Sequence, residues 1–70
     1  MTPEEFLVIL KSVNAMASPQ WLDIEIHETG LDSLDLMMLR SSLETAIHDA
    51  IPDKLWFESE TLRQLLKGLV

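Results

Sequence analysis

The stretch Thr29-Gly30-Leu31-Asp32-Ser33-Leu34-Asp35 reads as a turn that runs straight into a helix. Gly30 admits backbone angles that other residues avoid. Asp32 and Ser33 are both favourable N-cap residues, and Asp32 and Asp35 have the spacing of a capping pair. An amphipathic run follows at once. The pattern predicts a helix from Leu34 to about Asp49. Ile51-Pro52-Asp53 stops it, because proline cannot continue a helix and disfavours helical angles in the residue before it. One helix of that length in a chain of 70 residues leaves room for a few short companions around a thin core.

Thr2-Pro3-Glu4-Glu5 is a second helix start, with a capping threonine, a proline at the first helical position and acidic residues facing the dipole. Phe6, Ile9, Leu10 and Val13, with Met16 or Ala17, recur at helical spacing, and this helix is expected to end between Asn14 and Ala17. A long connection then carries Trp21, Leu22, Ile24 and Ile26. Ile24 and Ile26 alternate with Asp23, Glu25 and His27, which hints at a strand. A lone short strand would have nothing to pair with, so an ordered loop pinned over the core is expected. Asp53 to Phe57 suits a short helical turn. A last helix, from Ser59 or Glu60, turns Leu62, Leu65, Leu66 and Leu69 inward and Arg63, Gln64 and Lys67 outward. The expected fold is all-α, one domain over residues 1–70: a small four-helix bundle of three longer helices and one short helical turn, with a long loop between the first two helices.

The central helix carries two faces. Leu36, Leu39, Leu43, Ala46 and Ile47 are expected to bury. Leu34, Met37, Met38, Ser41 and Glu44 form another face, more apolar than solvation requires. Methionine adapts to varied partners, so this face is expected to contact other proteins.

Composition narrows the function. A net charge of −7 and a pI near 4.4 leave no basic patch to displace counterions from nucleic acid, and favour partners with basic faces. No apolar run reaches the ~20 residues that span a bilayer. The acidic N-terminus lacks a signal-peptide pattern, so the cytosol is the expected location. The chain has no cysteine, hence no disulfide, thiol ligand or thiol nucleophile. Ser33 lacks the G-x-S-x-G elbow of hydrolases. A Ser33–His27–Asp group would need loop geometry that the sequence does not specify, and His48 lies about four turns along the helix, out of reach. The two histidines have no ligand spacing, so no metal site is expected. No catalytic residue is assigned. Ser33 is then either a helix cap or a hydroxyl placed where a helix N-terminus favours a phosphate.

Gly30-Leu31-Asp32-Ser33-Leu34-Asp35 resembles the Gly-x-Asp-Ser-Leu attachment motif of acyl carrier proteins. Ile51-Pro52-Asp53 is similar to that family's segment after its second helix, at the same distance from the serine, and Leu62 falls at the start of its last helix. The resemblance covers Gly30 to Leu69. It implies 4′-phosphopantetheine held covalently on Ser33, between Asp32 and Leu34, and placed there by a separate phosphopantetheinyl transferase. The arm's thiol would carry an acyl group as a thioester, and the chain would catalyse nothing. Acyl-loading, condensing or acyltransferase enzymes with basic or apolar docking faces would meet a monomer through Asp35, Met37, Met38, Ser41 and Glu44. A space between the second helix and Leu55 to Leu62 would shelter the chain. Thr29 stands where the family usually has leucine, Met38 where fatty-acid carriers commonly have glutamate, and Arg40 adds a positive charge. These departures suggest a specialised carrier in polyketide, fatty-acid-like or other secondary-metabolite synthesis. The alternatives are an unmodified helical interaction module and a peptidyl or aminoacyl carrier, the latter disfavoured by aspartate before the serine.

Overall fold

The computed structural model describes residues 1–69. Four helices follow one another: α1 (Pro3–Val13), α2 (Ser33–Ile47), α3 (Asp53–Glu58) and α4 (Leu62–Gly68). This is the expected all-α bundle. The helix starts obey local rules. Thr2 and Glu5 form a reciprocal capping box at α1, and the bond from the Thr2 backbone holds the Glu5 carboxyl below its ordinary pKa. Asp32 and Asp35 form the same device at α2. Thr61, rather than Ser59 or Glu60, caps α4 by accepting from the Gln64 N–H at 3.2 Å. Ser59 is engaged earlier, donating to the Leu55 carbonyl at 2.7 Å.

The core is built from Phe6 and Leu10 of α1, Leu39 and Leu43 of α2, and Leu62, Leu65 and Leu66 of α4, all buried. Ala17, Leu22, Leu31 and Ile51 close it from the connections. Ala46 is exposed, contrary to expectation, because the buried line of α2 runs through Leu36, Leu39, Leu43 and Ile47 at steps of three and four. Met16 is exposed too, since the chain leaves the helix at Asn14. No residue of α3 is fully buried. It lies on the surface, and Leu55 fills the space that the missing side chain of Gly68 leaves in α4.

The long connection is ordered by two short 3-10 turns, Pro19–Leu22 and Ile26–Glu28. The strand-like alternation does find a partner: Glu25 forms a single antiparallel bridge with Thr61, and the Ile26 N–H donates to the Glu60 carbonyl at 2.9 Å. Arg63 of α4 grips Asp23 with two hydrogen bonds, at 2.6 and 3.3 Å. That pairing holds the Asp23 carboxyl below, and the Arg63 guanidinium above, their ordinary pKa values.

The central helix ends at Ile47, two residues short of the expected Asp49. His48 takes the left-handed conformation, φ 58° and ψ 35°, and the Asp49 N–H turns back to the Glu44 carbonyl at 3.2 Å. A side chain in that region carries a steric cost that glycine avoids. His48→Gly should therefore raise stability by about 1 kcal/mol and the melting temperature by roughly 4–8 °C, read by thermal unfolding followed by circular dichroism. The Asp23–Arg63 pair predicts a pH effect. A carboxyl depressed in the folded state contributes stability above its unfolded pKa and loses it as pH falls through the folded value. In Arg63→Gln the Asp23 titration, followed by NMR, should move up towards the ordinary carboxylate range, and that part of the acid dependence should vanish.

Candidate functional site

The capping box decides what Ser33 is free to do. Asp32 Oδ1 accepts from the Asp35 N–H at 2.8 Å, and Asp35 Oδ2 accepts from the Asp32 N–H at 3.5 Å. Asp32, not Ser33, is therefore the N-cap, and Ser33 is the first residue of α2. Its side chain is exposed. Among the described residues the Ser33 hydroxyl makes no hydrogen bond, and the backbone N–H groups of Ser33 and Leu34 have no acceptor. A free hydroxyl thus stands beside two free donors at the positive end of a 15-residue helix. A phosphate ester on Ser33 fits this arrangement, because its oxygens can accept from those donors.

The turn before Ser33 is held from three sides. Thr29 is buried, donates to the Ile26 carbonyl at 2.6 Å and accepts from the Leu31 N–H at 3.3 Å. The Thr29 hydroxyl therefore shapes the turn itself. Gly30 does not have a positive φ, so the expected conformational reason for glycine does not apply. Its reason is space: a Cβ there would lie 3.0 Å from the edge of the Trp21 indole. Asn14, at the end of α1, donates to the Gly30 carbonyl at 3.4 Å and to Asp35 Oδ2 at 3.2 Å.

Leu34, Met37 and Met38 are 63%, 70% and 45% exposed, and with exposed Ser41 they lie at helical spacing on the face beside Ser33. Glu44 is half-buried and bound within the fold, accepting from the Ile51 N–H at 2.8 Å. Arg40 is not a free surface charge. It donates to the Ile51 carbonyl at 2.7 Å and to Asp53 at 2.6 Å, lies 3.6 Å from Glu44, and covers the Trp56 ring at 5.5 Å. The Asp53 hydrogen bond raises its pKa further. Nothing in the helical period marks Asn14, Thr29 or Arg40 for these roles.

Ser33 also stands where two grooves meet. One, of about 760 Å³, is lined by Ile26, Leu31, Leu36, Leu62, Trp56 and Phe57, with Glu25, His27 and Glu60 at its polar side. The other, of about 290 Å³, runs past Leu36, Met37 and Arg40, with Trp56 and Phe57 shared between them. Phe57 is 76% exposed. His27 lies on the larger groove but pairs with Glu25 at 3.1 Å and approaches Glu28 at 4.0 Å. It makes no hydrogen bond to Ser33 among the described residues, so the base of a hydrolytic triad is not in place. Glu25, His27 and Glu28 gather their ligand atoms within 4.8 Å, all of them exposed.

A family model described as the phosphopantetheine attachment site matches residues 4–69. The chain belongs to that family. Domains of this family are the sites of covalent 4′-phosphopantetheine attachment, are in general non-catalytic carriers, and meet a phosphopantetheinyl transferase and biosynthetic enzymes. No curated protein and no solved structure matches the chain. No helix among the described residues is long and apolar enough to cross a membrane.

The Gly30–Trp21 contact yields a test of the carrier's turn. Gly30→Ala pushes a methyl group against a rigid indole edge and should cost about 1–2 kcal/mol in chemical denaturation. Trp21→Phe, which shortens the ring, should return part of that cost in the double variant.

Proposed function

We propose that the Ser33 hydroxyl is the acceptor of the phosphopantetheine arm and that this chain is an acyl carrier. The observation that carries this reading is the division of roles at the start of α2: Asp32 caps the helix, which leaves the Ser33 hydroxyl and two neighbouring N–H groups unused. When bound, the arm supplies a thiol that holds an acyl intermediate as a thioester. The protein's own residues position and expose that arm. The N–H groups of Ser33 and Leu34 take the phosphate, and Asp32 holds the helix start under it. The larger groove beside Trp56 and Phe57 receives the apolar part of the cargo. Leu34, Met37, Met38 and Ser41 dock partner enzymes, with Asp35 at the edge of the strip. Glu44 contributes by holding Ile51 and Arg40 beneath it. The apolar strip favours loading, condensing or acyltransferase enzymes whose docking pockets are apolar with a basic rim, as in polyketide, fatty-acid-like or other secondary-metabolite synthesis. The chain acts as a cytoplasmic monomer, contributes no catalytic residue and takes no metal.

The test separates modification from stability. Incubation with coenzyme A and a broad-specificity phosphopantetheinyl transferase should add one phosphopantetheine mass, and Ser33→Ala should add none. Because Ser33 is not the cap, Ser33→Ala should change unfolding free energy by less than about 0.5 kcal/mol, whereas Asp32→Ala should cost about 1 kcal/mol. A mass shift that survives Ser33→Ala overturns the assignment.

A further inference from the structure

Asn14 lies outside the motif that carries Ser33, yet its side chain joins that motif to the first helix. Its Nδ2 donates to Asp35 Oδ2 at 3.2 Å and to the Gly30 carbonyl at 3.4 Å, and its Oδ1 accepts from the Met16 N–H at 2.9 Å. One amide therefore uses its donor side and its acceptor side at the junction of three segments: the end of α1, the turn before Ser33 and the first turn of α2. The carboxylate oxygen that it binds is the one that also accepts from the Asp32 N–H. That oxygen closes the capping box, so Asn14 steadies the device that releases the Ser33 hydroxyl. Trp21 closes on Gly30 from the same side.

We infer that Asn14 is a positioning residue for loading of the carrier: it holds the Gly30–Ser33 turn in the one arrangement that a phosphopantetheinyl transferase accepts. This inference rests on the reading of Ser33 as the attachment residue. The chemistry requires an uncharged side chain with a donor. A carboxylate of the same shape at this position would face Asp35 at hydrogen-bonding distance, where two like charges repel. Alanine would leave the turn and the carboxylate untied without that repulsion. In both cases the turn samples other arrangements, and only the competent fraction binds the transferase. A turn competent a tenth of the time raises the apparent dissociation constant about tenfold, so the loss falls in KM for the apo carrier and spares kcat.

The experiment measures transferase kinetics on intact apo wild type, Asn14→Ala, Asn14→Asp and the swapped pair Asn14→Asp with Asp35→Asn, below the melting temperature of each. Backbone amide exchange of Leu31 and Asp35 is recorded on the same apo proteins. Leu66→Val, in the core of α4, is the control for general destabilisation. The expected result is a KM raised by about tenfold in Asn14→Asp, less in Asn14→Ala, with kcat near wild type. Exchange at Leu31 and Asp35 should quicken in the same order. The swapped pair removes the like-charge repulsion but not the lost donor to the Gly30 carbonyl, so its KM should lie between wild type and Asn14→Asp. Leu66→Val should leave KM unchanged. A KM in Asn14→Asp equal to wild type, or a change matched by Leu66→Val, overturns the role of Asn14 while the Ser33 assignment stands. Failure of wild type itself to be modified overturns both.

Discussion

The reciprocal hydrogen bonds of Asp32 and Asp35 govern the functional end of this protein. A cap is worth only about 1 kcal/mol, far less than the burial of Phe6, Leu10 and the leucines of α2 and α4. Its importance is positional. By taking the cap, Asp32 moves Ser33 one step into the helix, to the first helical residue. Thr29, Trp21 and Asn14 then serve one end, keeping the turn that delivers Ser33 in a single shape. Leu31 and Leu39, which flank the box in sequence, are buried in the core.

Much of the fold was legible because it follows local rules. Thr2-Pro3-Glu4-Glu5 and the Asp32–Asp35 pair announce helix starts through spacing alone. The buried leucines of α2 and α4 announce their inward faces through the helical period. The exposed strip of Leu34, Met37 and Met38 follows from the same period. What stayed hidden depends on contacts between residues distant in sequence. The reason for Gly30 lies in Trp21, which no backbone rule connects to it. The strand-like Glu25 finds its partner in Thr61, about half the chain away. Arg40 reads as a surface charge until Asp53 and the Ile51 carbonyl are seen to bind it. His48 gives no sign that it occupies a position suited to glycine.

The charge of α2 is largely spent inside the fold. Arg40 and Glu44 bracket the α2–α3 connection, one holding the Ile51 carbonyl and the other its N–H. Asp35 is tied into the cap. What the helix then offers outward carries no free charge: Leu34, Met37 and Met38 among serines, a threonine and an alanine. An apolar strip on so small a protein invites self-association, and a net charge of −7 opposes it through mutual repulsion. The proposed docking strip and the charge that keeps copies apart thus lie on different parts of one surface.

The clasp between Asp23 and Arg63 joins residues 40 positions apart, and Ile26 meets Glu60 beside it. Both partners on the later side belong to α4 or to the turn that leads into it. Closing such a distant pair costs loop entropy that nearby contacts do not. The segment leading to Ser33 therefore gains these two anchors only when α4 is in place, in addition to the ties from Asn14 and Thr29. The segment before Ser33 is thus tied to α4 as well as to α1, so a change in how α4 sits would be felt at the start of α2.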